Sequence, residues 1–323
     1  MRKETKILLI ILIVPVVWGE LLFGATTAFL QPLSLVLFIP AYGFSLLLIH
    51  EAKARWKMQW STILLGVAFG VLFEGLMLKS IFNIGWGELQ GLTGYGMYFG
   101  IQWPYAIMRI AFHATISMMI PLLIIETIWP EFKTKQLVGR RGLSVASAGL
   151  AGAIMVGYAF FGTITADGMR PHYLDPALVF VTLSTVALLI WFAYELRHSR
   201  LSTFDMVLWK PFLFGVSGFL FQSFNLFIPY SFVGIAEGAA TTIILQIALM
   251  FTFLMFLYYQ FAHQNVTKKH VAGFVIGSIL FYILIAPLQE IGQHLYGMII
   301  VALLSIFFLY VWAHMLLLSR TSY

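Results

Sequence analysis

The chain reads as an all-α membrane protein, a bundle of about ten transmembrane helices with both termini cytoplasmic. Three observations predict this. Hydrophobic residues make up 61% of its 323 positions and charged residues 10%, against about 25% charged in a soluble domain. Apolar stretches of the length that crosses a bilayer, about 20 residues, recur along the whole chain. Lys and Arg fall in short clusters between alternate stretches, as cytoplasmic loops retain them.

The predicted spans run over 7–27, 33–49, 61–80, 104–128, 144–166, 176–195, 211–229, 239–261, 272–290 and 296–318. The first follows the basic "MRKETK", which could open a signal peptide. Glu20 inside its apolar stretch favours a retained span, since a discarded segment has no need of an acid. With the N-terminus inside, every one of the 19 basic residues except Lys79, Arg109 and Arg170 lies on the cytoplasmic side. Trp60, Trp103, Trp129 and Trp209 stand at span ends, where interfacial aromatics belong. No linker or charge block divides the chain, so one membrane domain is expected. "GVLFEGL" in span three echoes "GFLFQSF" in span seven. A parallel repeat of spans two to five in spans six to nine would pair Glu74 with Gln222 and Glu126 with Gln260.

Several chemistries are excluded or unsupported. The net charge of +6 is spread over loop clusters and forms no continuous basic face, so nucleic acid is not an expected partner. The chain has no cysteine, which removes disulfides, thiolate metal sites and cysteine nucleophiles. It contains no Walker-type or GxGxxG element, and in "HEAKAR" Ala54 stands where a zincin requires its second histidine. No cofactor or metal is expected. The expected surroundings are the lipid bilayer of a cytoplasmic (inner) membrane.

The candidate site comes from ionisable residues inside the spans. Gly66, Gly70 and Glu74 recur every four residues on one helix face, and a glycine face admits a neighbouring helix closely, so Glu74 is aimed at protein. At about 1.5 Å per residue, Glu74 and Glu20 both lie roughly 20 Å from the inner ends of their spans, and His113 lies roughly 14 Å from the outer end of its own. In a core of about 30 Å these depths coincide. Arg109, His113 and Ser117 form a polar stripe at i, i+4 and i+8, with Pro121 beyond it and Pro15 about one turn before Glu20. Glu74 and His113 are therefore the expected proton relay or general base, with Glu20, Arg109 and Ser117 as substrate-binding partners. Structural glue is the competing reading of the same group.

Elsewhere the residues point to local roles. His50 and Glu51 read as a solvated interfacial pair, Glu126 as an acid snorkelling to or pairing with the basic inner loop, and Glu290 with His294 as a hydrogen-bonded pair across one turn. Asp167, His172 and Asp175 share an outer loop that could meet a cation. Residues 84–103, "IGWGELQGLTGYGMYFGIQW", form a long Gly- and aromatic-rich connection between the spans that carry Glu74 and His113. Such a segment reads as a lid over the site or as an adhesive interfacial loop.

"FEGLMLKS", followed 39 residues after Glu74 by the histidine of "AFHA", resembles the first two motifs of CAAX-type intramembrane proteases. The resemblance implies an intramembrane hydrolase in which Glu74 activates water and His113 orients it or stabilises an oxyanion. The chain departs from that pattern: Phe73 precedes Glu74 where the family pairs two glutamates, Leu78 and Lys79 stand where it has arginine, and no span supplies the third motif's His and Asn. The residues themselves favour a proton-linked carrier or permease of a small solute, with the hydrolase acting on a membrane-embedded substrate as the alternative and an assembly or scaffold protein as a third class.

Overall fold

The computed structural model describes residues 3–25, 32–89, 91–165, 168–199, 207–293 and 296–318. It is an all-α transmembrane bundle. The helices are α1 (Lys3–Leu22), α2 (Pro32–Trp56), α3 (Thr62–Met77), α4 (Trp103–Ile128), α5 (Arg140–Phe160), α6 (Pro176–Glu195), α7 (Pro211–Ser231), α8 (Gly238–Phe261), α9 (Lys268–Gln293) and α10 (Met298–Leu318). Among the described residues nine are long and apolar enough to cross a membrane, and α3 is shorter.

The first predicted span stops earlier, at Leu22, the second runs on from 49 to Trp56, and spans three and five also end differently. Span three stops at Met77 because Lys79 adopts a left-handed backbone (φ 60°), a conformation that breaks a helix. The Lys79 ammonium then turns onto the carbonyls of Tyr158 and Phe161 (2.6 Å to the latter), capping the C-terminal end of α5 with positive charge. Span five ends at Phe160, not 166. Gly162–Thr165 and Gly168–Pro171 pair instead as an antiparallel hairpin, β3 and β4, which the β-branched Thr163, Ile164 and Thr165 favour. A smaller hairpin, β1 (Met97–Tyr98) and β2 (Ile101–Gln102), turns through Phe99 and Gly100, both at positive φ, the geometry of a two-residue primed turn.

The bundle is organised around α4. Its span is 72% buried, against 11% for the α6 span at the periphery of the bundle. One hydrophobic cluster joins α1, α2, α3, α5 and the loop after α3 to Tyr105, Met108 and Met118 of α4. The other joins α7, α8, α9 and α10 to Phe112, Ile116 and Ile120 on its other face. Without a hydrophobic force between helices in lipid, polar groups add the specific contacts. Gln222 and Asn225 of α7 donate to Thr115 Oγ1 (3.1 Å) and the Met108 carbonyl (3.0 Å), and Gln246 of α8 donates to the Pro104 carbonyl (2.8 Å).

The glycine face of α3 packs directly on the α4 backbone. A Cβ on Gly66 would lie 3.0 Å from the Ala114 carbonyl oxygen, and one on Gly70 would lie 3.0 Å from both the Cα and the carbonyl oxygen of Ile110. Gly70→Val should therefore destabilise the protein by about 1–3 kcal/mol through overpacking against backbone that cannot rotate away. Its melting in detergent, followed by tryptophan fluorescence, measures this. Unchanged melting would contradict the close α3–α4 contact.

Candidate functional site

Four π-helical turns interrupt the described helices: Val17–Leu22 in α1, Phe73–Met77 in α3, His113–Met119 in α4 and Leu257–Phe261 in α8. Such turns are rare and cluster at functional sites. The first three carry Glu20, Glu74, and His113 with Ser117. In α4 the cause is partly local, because Pro121 has no N–H for the Ser117 carbonyl and its ring crowds that oxygen; a widened turn relieves both.

The three turns face one another. Glu74 Oε1 accepts from Arg109 Nε and from His113 Nε2, each at 2.6 Å, and Glu74 Oε2 accepts from the Ser80 hydroxyl. His113 Nδ1 lies 3.1 Å from Ser117 Oγ. With Nε2 donating to Glu74, Nδ1 is the acceptor and Ser117 the donor. The Tyr42 hydroxyl of α2 donates to Glu20 and lies 3.4 Å from His113 Nδ1. Gly19 makes room for this meeting, since a Cβ there would lie 2.6 Å from Ser117 Oγ and 2.7 Å from the Tyr42 ring. Glu20, Glu74, Arg109, His113 and Ser117 are each at most 1% exposed.

All five residues singled out in the sequence thus belong to one buried network. Tyr42, Ser80 and Glu88 join it unannounced. Glu88, on a short 3-10 turn of the 84–103 loop, brings its Oε2 to 3.5 Å from Arg109 Nη2. That loop folds over one end of the site, anchored by Gln102, whose side-chain amide donates to the Ser80 and Asn83 carbonyls (3.3 Å each). Above Arg109 is a cleft with about 40 Å³ of water-accessible space, walled by Phe23, Tyr105, Met108, Leu226 and Tyr230.

The other candidates take structural places. His50 and Glu51 are buried, not solvated, because the loop after α4 folds over them. His50 Nε2 meets the Phe132 carbonyl (3.0 Å), and Glu51 accepts from the Leu137 and Val138 amides and pairs with Arg55 (2.8 Å). Glu126 pairs with Lys53. Glu290 accepts from the Ile299 amide (2.7 Å) at the start of α10, while His294 lies outside the described residues. Asp175 caps α6 through Ala177 N (2.8 Å), and Asp167 lies outside the described residues. Gln222 is buried against α4, and Gln260 clamps the Trp209 amide (2.8 Å) at the end of α8. Among the described residues no three His, Asp or Glu side chains are placed to hold a metal ion.

No curated protein and no solved structure matches the chain. Residues 8–322 match a family described as an uncharacterized membrane protein family, and with nearly its whole length covered by that match the chain belongs to this family of multi-pass membrane proteins.

Proposed function

We propose that the protein is a proton-linked carrier of a small solute in the cytoplasmic membrane, with both termini cytoplasmic and Glu74 as the group that takes up and releases the proton. The observation that carries this reading is the chain Glu20–Tyr42–His113–Glu74, which links four helices at membrane depth through groups able to gain or lose a proton, with Arg109 as the fixed counter-charge at its end. Intramembrane acids and histidines joined in this way mark proton pathways. Each acid of the chain sits on a π-turn, where helix register can change at less cost than in a regular helix.

The two ends of the bundle differ in a way that suits alternating access. On the side rich in Lys and Arg, the ion pair Lys53–Glu126 ties α2 to α4, and Glu51 and Arg55 hold the loop after α4 through the Leu137 and Val138 amides and the Val138 carbonyl. On the other side the cleft approaches Arg109. The hydrolase reading fits this geometry less well, because both Glu74 oxygens already accept from protein groups, leaving the would-be base poorly placed to activate a water.

Purified protein in sealed liposomes with an entrapped pH dye and an imposed gradient tests the proposal against pooled small solutes. Proton movement that follows solute addition and requires the gradient is the expected result. Cleavage of membrane peptides in detergent, where no gradient exists, would overturn it. The orientation is tested separately on a chain with no native cysteine. Lys135→Cys and Lys269→Cys should label only from the cytoplasmic side and Arg170→Cys only from the opposite side. Labelling of Lys135→Cys and Arg170→Cys from one side would break the topology.

A further inference from the structure

We infer that the cleft above Arg109 is a binding site for a small carboxylate, held by the outer edge of the Arg109 guanidinium with Glu88, Tyr105 and Gln289 around it. The inference rests on the carrier reading only in making this carboxylate the solute; the site itself stands on geometry.

Arg109 is 1% exposed, and its Nε is engaged by Glu74. Its Nη1 and Nη2 are buried and make no hydrogen bond among the described residues. Nη2 has only the ion-pair contact with Glu88 at 3.5 Å. Tyr105 Oη, Glu88 Oε2 and Gln289 Oε1 are likewise buried without a hydrogen bond among the described residues, and all four residues line the same cleft. A buried polar group left without a partner is costly, more so when charged, so several of them converging on one space indicate a missing polar partner.

The donor set identifies that partner. A guanidinium remains charged at any physiological pH and presents its two terminal nitrogens as a planar fork, which matches the two oxygens of a carboxylate. A cationic ligand would instead be placed against Arg109. Tyr105 supplies a further hydroxyl donor. The available space, about 40 Å³, holds roughly three water molecules, the size of a carboxylate group. Phe23, Met108 and Leu226 form an apolar wall for a short hydrocarbon tail.

Glu88 makes binding depend on pH. Burial pushes its carboxyl up to about 8, Glu20 and Glu74 push in the same direction, and Arg109 opposes them. Tyr105 and Tyr230 also face it from α4 and α7. Below about pH 8 Glu88 is neutral and can donate a proton to a ligand oxygen; above it, Glu88 is an anion that repels the carboxylate and competes for Arg109. The ligand itself is ionised above about pH 5. Between these limits the carboxylate binds with Glu88 protonated.

Calorimetric titration of the purified protein in detergent with butyrate, at pH 7 and pH 9, tests this. With a Glu88 carboxyl titrating near 8, affinity should be about tenfold weaker at pH 9 than at pH 7. Glu88→Gln, neutral at both pH values, should remove the difference while still binding, and Tyr105→Phe should weaken binding at both. Decanoate binding more tightly than butyrate would place the source of the carboxylate in the lipid phase; butyrate binding as well or better would place it in water. Both results support the site. Failure of both carboxylates to bind, preference for methylammonium or inorganic phosphate, or an unchanged pH difference in Glu88→Gln would each overturn the inference. If neither carboxylate binds while another solute drives gradient-dependent proton movement in liposomes, the carboxylate site falls and the carrier reading stands.

Discussion

Arg109→Met should cost about 3–5 kcal/mol of stability, the typical loss when one partner of a buried ion pair is removed. The reason is asymmetry of environment. Arg109 has Glu74 at 2.6 Å and Glu88 at 3.5 Å, whereas Arg109 is the only permanently charged cation in contact with Glu74 among the described residues. Methionine fills much of the same volume between Phe23, Tyr105 and Phe112 and cannot neutralise the carboxylate left behind. The double variant Arg109→Met/Glu74→Gln removes both charges and should recover most of the loss, since replacing a whole buried pair is far less costly than breaking it. Thermal melting in one detergent, with the two single variants and the double variant side by side, gives the coupling. An Arg109→Met protein that melts like the parent would mean that the pair is not sealed from water.

Much of this site was legible before the fold was known, for physical reasons. A charged side chain in hydrocarbon is costly enough to be rare, so Glu20, Glu74, Arg109 and His113 stood out against apolar neighbours. Helical rise is nearly constant, so counting residues placed the two acids and His113 at one depth. The glycines at 66 and 70 announced the close contact of α3 with α4 because only a missing Cβ permits it. The remaining partners carried no such signal. Tyr42 is amphipathic and ordinary in a membrane helix, and Ser80 and Glu88 sit beyond the end of α3, where polar residues are expected anyway. Only the fold of the 84–103 loop brings Glu88 to Arg109. His50 and Glu51 lie beside Lys53, Arg55 and Lys57, a pattern that reads as a solvated face; it is a tertiary event, closure of the inner loop, that buries them. The π-turns were equally hidden. Pro121 hints at one, but the widening at Glu20 and Glu74 has no local sequence signature and is set by how the helices meet.

Glu74→Gln should abolish gradient-dependent solute flux, reducing it to that of protein-free vesicles, while leaving the protein folded and inserted. Glutamine keeps the side-chain length, its carbonyl can accept from Arg109 Nε and His113 Nε2 as Glu74 Oε1 does, and its amide can donate to Ser80, so the packing of α3 on α4 survives. With the Glu74 charge gone, the charge left on Arg109 draws the neighbouring Glu88 carboxyl toward its ionised form, which makes this variant milder for stability than loss of the arginine. What glutamine cannot do is gain and lose a proton, the one property that a carrier's coupling group needs and a fastener does not. Tyr42→Phe separates the relay from the acid itself: it removes the hydroxyl between Glu20 and His113 and leaves Glu74, Arg109 and His113 in place. Flux should then fall and its pH dependence should shift, with melting little changed. The same liposome assay, run with both variants beside a melting curve for each, distinguishes the outcomes. If Glu74→Gln transports at the parental rate while Glu74→Ala merely fails to fold, the buried acid is structural glue between α3 and α4, and the proton-carrier assignment fails with it.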